Sequence, residues 1–196
     1  MTETLTSPPP RPLSALRRRL PRRRTVLKAM HLAMIPLTVW FVIATPEFVR
    51  SIWGARGAEI NSDIALVFVT ICLIWSVDTF FRGLAGRPGP KLSPRLKLFH
   101  QVLHKTIVWG LFLVAAGGFL IGLTSDRMLF AGGWLPIAPP LGLERANEII
   151  GKIHIYQFYA LAGIIVIHAG FHVWRHLRLR DNALRIMAPK VLHRFL

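Results

Sequence analysis

The sequence predicts an all-α membrane protein that folds as a bundle of four transmembrane helices. Of its 196 residues 53% are hydrophobic, which is too apolar for an ordinary soluble domain of this length. Four segments are long enough to cross a hydrocarbon core of about 30 Å, which takes roughly 20 apolar residues in a helix. The basic residues fall on alternate connections between those segments, as expected for successive passages through one bilayer.

The predicted spans cover 27–44, 64–81, 102–123 and 149–174. Each crosses the membrane once, and a polar break containing Pro90 and Pro94 separates the second span from the third. Neither the alternating pattern of a membrane barrel nor an internal repeat is evident, so helices remain as the way to satisfy the backbone in lipid. The spans form one domain over 26–188, with a disordered basic tail over 1–25 and a short tail over 189–196.

The net charge of +16 raises the question of a nucleic-acid partner, which the placement of the charges answers. Eight basic residues precede His31, five lie between the second and third spans, and six follow the fourth span. The other two connections hold five basic residues beside six acidic ones. This bias predicts four spans with both termini in the cytoplasm, and it explains the basic excess without nucleic acid.

Two local features of the sequence limit the kind of membrane protein that this chain can be. The stretch RRRTVLK resembles a twin-arginine export signal, but a long apolar run and no small-residue cleavage site follow it, so we expect an uncleaved first span. Cys72 is the only cysteine, which excludes an intrachain disulfide and a cysteine-ligated iron–sulfur cluster. In the middle of an apolar span, Cys72 is expected to pack in the core.

Histidines within the spans are the candidate functional residues. His154 and His168 are 14 residues apart on the fourth span, so they lie within about 40° of one face and about 21 Å apart in depth. His31 enters on the first span at the depth of His168. Paired imidazoles can hold a six-coordinate haem iron suited to electron transfer, whereas a single membrane histidine often only hydrogen-bonds a neighbouring helix. Spacing alone leaves both interpretations of His31 and His168 open.

Three further histidines lie close to the cytoplasmic ends of their spans. His172 follows His168 by four residues, where an interfacial histidine or a hydrogen-bond donor to a quinone is expected. His100 and His104 form an i, i+4 pair at the start of the third span. Such a pair can bind a metal ion, a haem propionate or a quinone carbonyl, and a plain interface role is equally compatible.

Several motifs together resemble the bacterial cytochrome b561 family, four-helix haem proteins of the inner membrane related to the cytochrome b subunits of formate dehydrogenases and hydrogenases. The motifs are KIH, then IH with its histidine fourteen residues on, then WRHLRLRDNALRIM. The resemblance covers 26–188, and His104 in LHK matches a recurrent histidine of the third helix. It implies two haems b, with His31 and His168 holding the inner one and His154 belonging to the outer one.

The second span departs from the family pattern. The outer haem's second ligand is expected near Ile64, yet no histidine or methionine occurs from Asn61 to Phe81. The outer site is therefore empty, or holds a five-coordinate haem on His154, or uses a partner that the motif does not identify. Loss of the outer haem is favoured, which leaves one haem where the family has two.

The resemblance implies a membrane b-type cytochrome of a respiratory chain, which carries electrons between a quinone pool and a redox partner. It also implies that His100, His104 or His172 line a quinone pocket, that Arg175 contacts a haem propionate, and that a dehydrogenase or a second copy of the chain is the partner. Whether the chain is a quinone-linked oxidoreductase in its own right stays open. The alternative is a haem-poor membrane anchor for a larger oxidoreductase, which the missing ligand in the second span motivates.

Overall fold

The computed structural model describes residues 22–86, 88–131, 134–188 and 193–194. The elements in chain order are α1 (Arg23–Ile43), α2 (Pro46–Trp53), a 3₁₀ turn (Gly54–Arg56), α3 (Gly57–Arg82), α4 (Pro94–Thr124), β1 (Leu129–Ala131), β2 (Leu135–Ala138), α5 (Glu144–Trp174), a π-helical turn (Arg175–Leu179) and α6 (Ala183–Met187). Of the predicted tails, 1–21, 189–192 and 195–196 lie outside the described residues.

Four helical segments are long and apolar enough to cross a membrane, which confirms the predicted number of spans. They are Arg23–Ile43, Pro46–Arg82, Pro94–Thr124 and Glu144–Leu179. Most of these helices are longer than the apolar spans predicted from the sequence. The helix continues at its ends into polar residues, beyond the length needed to cross the hydrocarbon core. Which side of a membrane each end faces stays a prediction.

Local signals in the sequence explain where several helices begin and end. Pro46 and Pro94 occupy the first turn of α2 and α4, where the missing N–H costs nothing. Thr45 precedes α2, and its Oγ1 accepts a hydrogen bond from the Phe48 N–H at 3.2 Å. Gly83 ends α3 at φ +69°, a left-handed conformation that glycine adopts without a steric penalty.

The core lies at mid-bundle, where side chains from all four spans meet. Cys72 of α3 is completely buried there. Its neighbours in the cluster are Met34 of α1, Phe68 of α3, Leu111 of α4 and Leu161 of α5. The predicted role of Cys72 as a packing residue is confirmed, and the outer faces of the spans remain apolar and exposed, as lipid contact requires.

The two ends of the bundle are closed differently. At one end, here named the basic end, the Arg23 guanidinium of α1 donates to both carboxylate oxygens of Asp78 in α3, with its shortest contact at 2.7 Å. At the opposite end, Trp40 Nε1 donates to Asn61 Oδ1 at 2.9 Å. The acid of Asp78 inside the second span is therefore paired with a cation from the first span. Nothing in the sequence identified that partner.

A small hairpin connects α4 to α5 at the opposite end. Strands β1 and β2 pair antiparallel, with Leu129 facing Ala138 and Ala131 facing Leu135. The strands were not predicted, because two segments of three and four residues are too short to show a periodicity. The side chain of Leu129 packs against Gly122 of α4, where an added Cβ would lie 2.6 Å from Leu129 Cδ1. The hairpin therefore folds back onto the end of the third span.

Candidate functional site

Five histidines from three spans form a cluster near the basic end of the bundle. They are His31 of α1, His100 and His104 of α4, and His168 and His172 of α5. Their ring centroids are 4.1 Å apart for His100 and His104, 4.6 Å for His104 and His168, and 4.6 Å for His168 and His172. The structure thus brings together five of the six histidines that the sequence singled out.

Helix periodicity and close packing of α4 against α5 account for this cluster. Residues four apart lie on one helix face, so His100 with His104 and His168 with His172 each present two rings in one direction. Farther along the same interface, Gly110 meets Leu161, where an added Cβ would lie 2.8 Å from Leu161 Cδ1. A glycine at this point lets the two helices approach closely, and the two histidine pairs lie on the same interface.

One hydrogen bond sets the chemistry of His104. Its Nδ1 lies 2.7 Å from the His100 carbonyl oxygen. Because a carbonyl oxygen only accepts, Nδ1 carries the proton and donates it, which leaves the Nε2 lone pair available. A backbone carbonyl bound to one ring nitrogen is the usual way in which proteins orient a histidine that binds a metal through the other nitrogen.

Three other ring nitrogens of the cluster are buried without a hydrogen-bond partner among the described residues. They are His100 Nδ1, His168 Nδ1 and His172 Nε2. Buried polar atoms in proteins are nearly always bonded, so several orphaned nitrogens in one place indicate a bound ligand or ordered water. The donor set is entirely imidazole, which suits metal and haem iron as well as hydrogen bonding to a carbonyl.

The spacing between His31 and His168 fits axial ligation of one haem iron. Two imidazoles bound at about 2.0 Å on opposite sides of one metal have ring centroids about 6 Å apart. His31 and His168 have centroids 6.4 Å apart, whereas His104 and His172 both lie at 4.6 Å from His168. Of these three neighbours of His168, His31 has the centroid separation nearest to that value. Trp75 of α3 packs edge-on against His31, at 6.0 Å between centroids.

The remaining three rings make a second group. His100, His104 and His172 each offer one nitrogen, and these nitrogens all lie within 4.8 Å of one another. His100 is 2% exposed, and the other two rings are half-buried. The sequence had predicted a role for His100 and His104 as a pair. That His172 completes a group of three depends on the packing of α5 and was not predicted.

Arg175, predicted to contact a haem propionate, is held by an acid of its own chain. It is 1% exposed, and its Nε and Nη2 donate to Asp181 Oδ2 at 2.9 and 2.6 Å. The other Asp181 oxygen accepts from the Ala183 N–H at 3.0 Å. Gly89, in the connection between α3 and α4, packs directly on this pair. We name Arg175, Asp181 and Gly89 the clasp, since they tie the end of α5 to that connection. The propionate contact stays a prediction.

His154 lies apart from the cluster, toward the opposite end, where glycines of α4 make room for it. An added Cβ at Gly117 would lie 2.9 Å from His154 Nδ1, and one at Gly118 would lie 3.4 Å from its Cε1. The glycines at 117 and 118 therefore permit this close approach of α5. The ring also lines a cavity of about 280 Å³.

The second span meets that cavity with apolar side chains. Its lining residues there are Ala65, Phe68 and Val69, which carry no atom that binds iron. These residues lie one to five positions beyond Ile64, where the family pattern places a ligand. His154 is the one imidazole among the described residues that line the cavity. A partner for His154 on the second span is therefore missing from the tertiary structure as well as from the sequence.

The fold and the site together define a class: a helical bundle with four segments long and apolar enough to cross a membrane, and with a histidine cluster at one end. No protein-family model matches the chain, and no curated protein is significantly similar to it. The likeness to the cytochrome b561 family therefore rests on the sequence motifs alone, and the haem, the quinone and the redox partner stay predictions.

Proposed function

We propose that this chain is a membrane b-type cytochrome that carries electrons between a quinone pool and a redox partner, with one haem b held by His31 and His168. The observation that carries the proposal is the centroid separation of 6.4 Å between these rings, which come from the first and the last span. It agrees with the separation of about 6 Å expected for two imidazoles on one metal. The buried, unpartnered His168 Nδ1 also supports a ligand at this ring.

The cofactor's chemistry would be the one-electron couple of ferric and ferrous haem, which two neutral imidazoles favour. The chain's own residues would set its surroundings. His31 and His168 would hold the iron, and Trp75 would restrict the His31 ring through its edge contact. The apolar core around Cys72 would separate this end from the opposite end and exclude water. Ring nitrogens of the cluster would face a quinone that enters at the basic end.

We propose one haem where the related family has two. His154 has no imidazole or thioether partner on the second span, and the cavity beside it is lined there by Ala65, Phe68 and Val69. A protein with one haem near one membrane face would exchange electrons with quinone at that face. It would not pass them across the bilayer, since no second redox centre would bridge the distance.

Difference spectroscopy of the purified chain tests the proposal. Protein expressed with ample haem should give a reduced-minus-oxidised b-type spectrum at one haem per chain. His168→Ala and His31→Ala should each abolish that six-coordinate spectrum, because each removes one axial ligand. His193→Asn is the matched control and should keep it, since His193 lies beyond α6 and its Nε2 bonds the Ala188 carbonyl.

Each other result has a defined meaning. Two haems per chain would overturn the single-haem assignment and reveal a partner for His154. A six-coordinate spectrum that survives in His168→Ala would refute the ligand pair. Folded but colourless protein would favour the alternative function, a membrane anchor in a larger oxidoreductase, which the absence of histidine and methionine from Asn61 to Phe81 already motivates.

A further inference from the structure

We propose that His100, His104 and His172 form a binding site for one divalent late transition-metal ion, with Zn²⁺ as the reference ion. The three ligand nitrogens lie within 4.8 Å of one another. In a tetrahedral zinc site with bonds of about 2.0 Å, they would lie about 3.4 Å apart. Each nitrogen therefore has to move inward by about 1 Å or less, which a small rotation of each imidazole provides.

The protonation of His104 prepares it for this role. Its Nδ1–H is already committed to the His100 carbonyl at 2.7 Å, so the lone pair available for a metal is on Nε2. His100 Nδ1 and His172 Nε2 are buried and have no hydrogen-bond partner in the part of the chain that the structure describes. A metal ion would satisfy these nitrogens at once, at a place where leaving them unpaired is unfavourable.

The donor set determines the class of ion. Three imidazoles and no carboxylate suit borderline ions such as Zn²⁺, Cu²⁺ and Ni²⁺, while Mg²⁺ and Ca²⁺ require oxygen ligands. Three protein ligands also leave a fourth position for water or an exogenous ligand. Gly86, in the connection between α3 and α4, lies beside this group, since an added Cβ there would be 3.9 Å from His104 Nε2.

The clasp reduces the electrostatic cost of a bound cation. Arg175 follows His172 by three residues, and its positive charge alone would repel a divalent ion. Asp181 neutralises that charge through a contact of 2.6 Å between buried groups.

The metal site also leaves His31 and His168 free for haem, so the five rings divide into two sites. A metal on the group of three and a quinone hydrogen-bonded to the same rings would exclude each other.

The experiment uses full-length protein in detergent, without a polyhistidine tag, stripped with chelator and dialysed against Zn²⁺. Elemental analysis should find one zinc per chain. His104→Asn and His172→Asn should each weaken zinc binding at least about tenfold, because even the loss of an outer-shell partner costs 10–100-fold in metal affinity. His193→Asn, which lies outside the group, should bind zinc like the unaltered chain.

Loading the unaltered chain with Cu²⁺ gives a second measurement that does not depend on any variant folding. Its electron paramagnetic resonance spectrum should show hyperfine coupling to three imidazole nitrogens, and a spectrum without such coupling would count against the site. Failure of the unaltered chain to bind zinc would overturn the proposal, and so would equal binding by all three variants. Haem is measured in the same samples, so that the two proposals can fail separately. Protein that binds zinc but no haem would refute only the proposed cytochrome function. Protein that binds haem but no zinc would refute only this metal site.

Discussion

Two ion pairs of equal length in this protein differ sharply in burial, and that difference predicts very different contributions to stability. Arg175 Nη2 and Asp181 Oδ2 are 2.6 Å apart, as are Lys152 Nζ and Glu148 Oε1. The side chains of the first pair are 2% and 2% exposed, and those of the second are 68% and 64% exposed. If burial rather than distance decides what an ion pair contributes, neutralising the acid should matter at Asp181 and hardly at all at Glu148.

Asp181→Asn keeps the shape of the side chain but removes its charge. The Arg175 guanidinium then stays buried without a counter-charge, and breaking a buried pair in this way costs about 3–5 kcal/mol. The amide also weakens two charge-assisted hydrogen bonds, of 2.9 and 2.6 Å, that Arg175 donates to Asp181 Oδ2. Glu148→Gln makes the same chemical change in an exposed pair, where we expect a loss of about 0.5 kcal/mol or less.

The assay is reversible unfolding in mixed micelles with increasing dodecyl sulfate, followed by tryptophan fluorescence, with all samples at the same haem content. Equal haem content is needed because a ligand of the folded state adds to the measured free energy of unfolding. The double variant Arg175→Met, Asp181→Leu should be more stable than Asp181→Asn, since it removes both charges. Equal losses in Asp181→Asn and Glu148→Gln would refute the reasoning, because burial would then make no difference.

Four glycine substitutions, compared in two pairs, extend the test to packing in the same assay. Gly89→Ala should lower the free energy of unfolding by about 1–3 kcal/mol, because the new Cβ would lie 2.6 Å from Asp181 Oδ2 in the clasp. Gly163→Ala is the control, because its Cβ would meet nothing within 4 Å in the described part of the chain. We expect this substitution to be neutral or slightly stabilising. A loss of stability as large as that of Gly89→Ala would contradict the argument. Gly117→Ala should cost more than Gly118→Ala, because its Cβ would lie 2.9 Å from the His154 ring where that of Gly118 would lie 3.4 Å from it. Equal losses at 117 and 118 would show that the contact with His154 does not limit the packing of α4 on α5.

Much of the candidate site could be predicted because helical spacing is local. His104 follows His100 by four positions, and His172 follows His168 by four, so each pair lies on one face in any helix. Depth in the bundle follows in the same way, so His31 was expected level with His168, and their rings are indeed neighbours. The prediction of which histidines bind haem stays open, since spacing cannot distinguish a ligand from a ring that only packs.

The clasp shows where local reasoning stops. Arg175 is one of several basic residues at the end of the fourth span, and its position in the sequence did not indicate that it is buried while Arg178 is exposed. Its burial depends on the π-helical turn over Arg175–Leu179 and on the return of the chain through Asp181. Lys91 adds to this arrangement, since its Nζ donates to the carbonyls of Leu179 and Arg180 at 2.9 and 3.1 Å. Each of these contacts joins segments whose relative placement no periodicity encodes.

The sequence by itself determined that four apolar helices form, where basic residues collect, and which histidines share a helix face, because each property depends on composition or on the rise and turn of a single helix. Only the tertiary structure decided that His172 joins His100 and His104, that Asp78 pairs with Arg23, and that apolar side chains of the second span line the cavity beside His154. Those outcomes depend on how each helix is rotated about its axis, and that rotation is set by side-chain packing against the other spans.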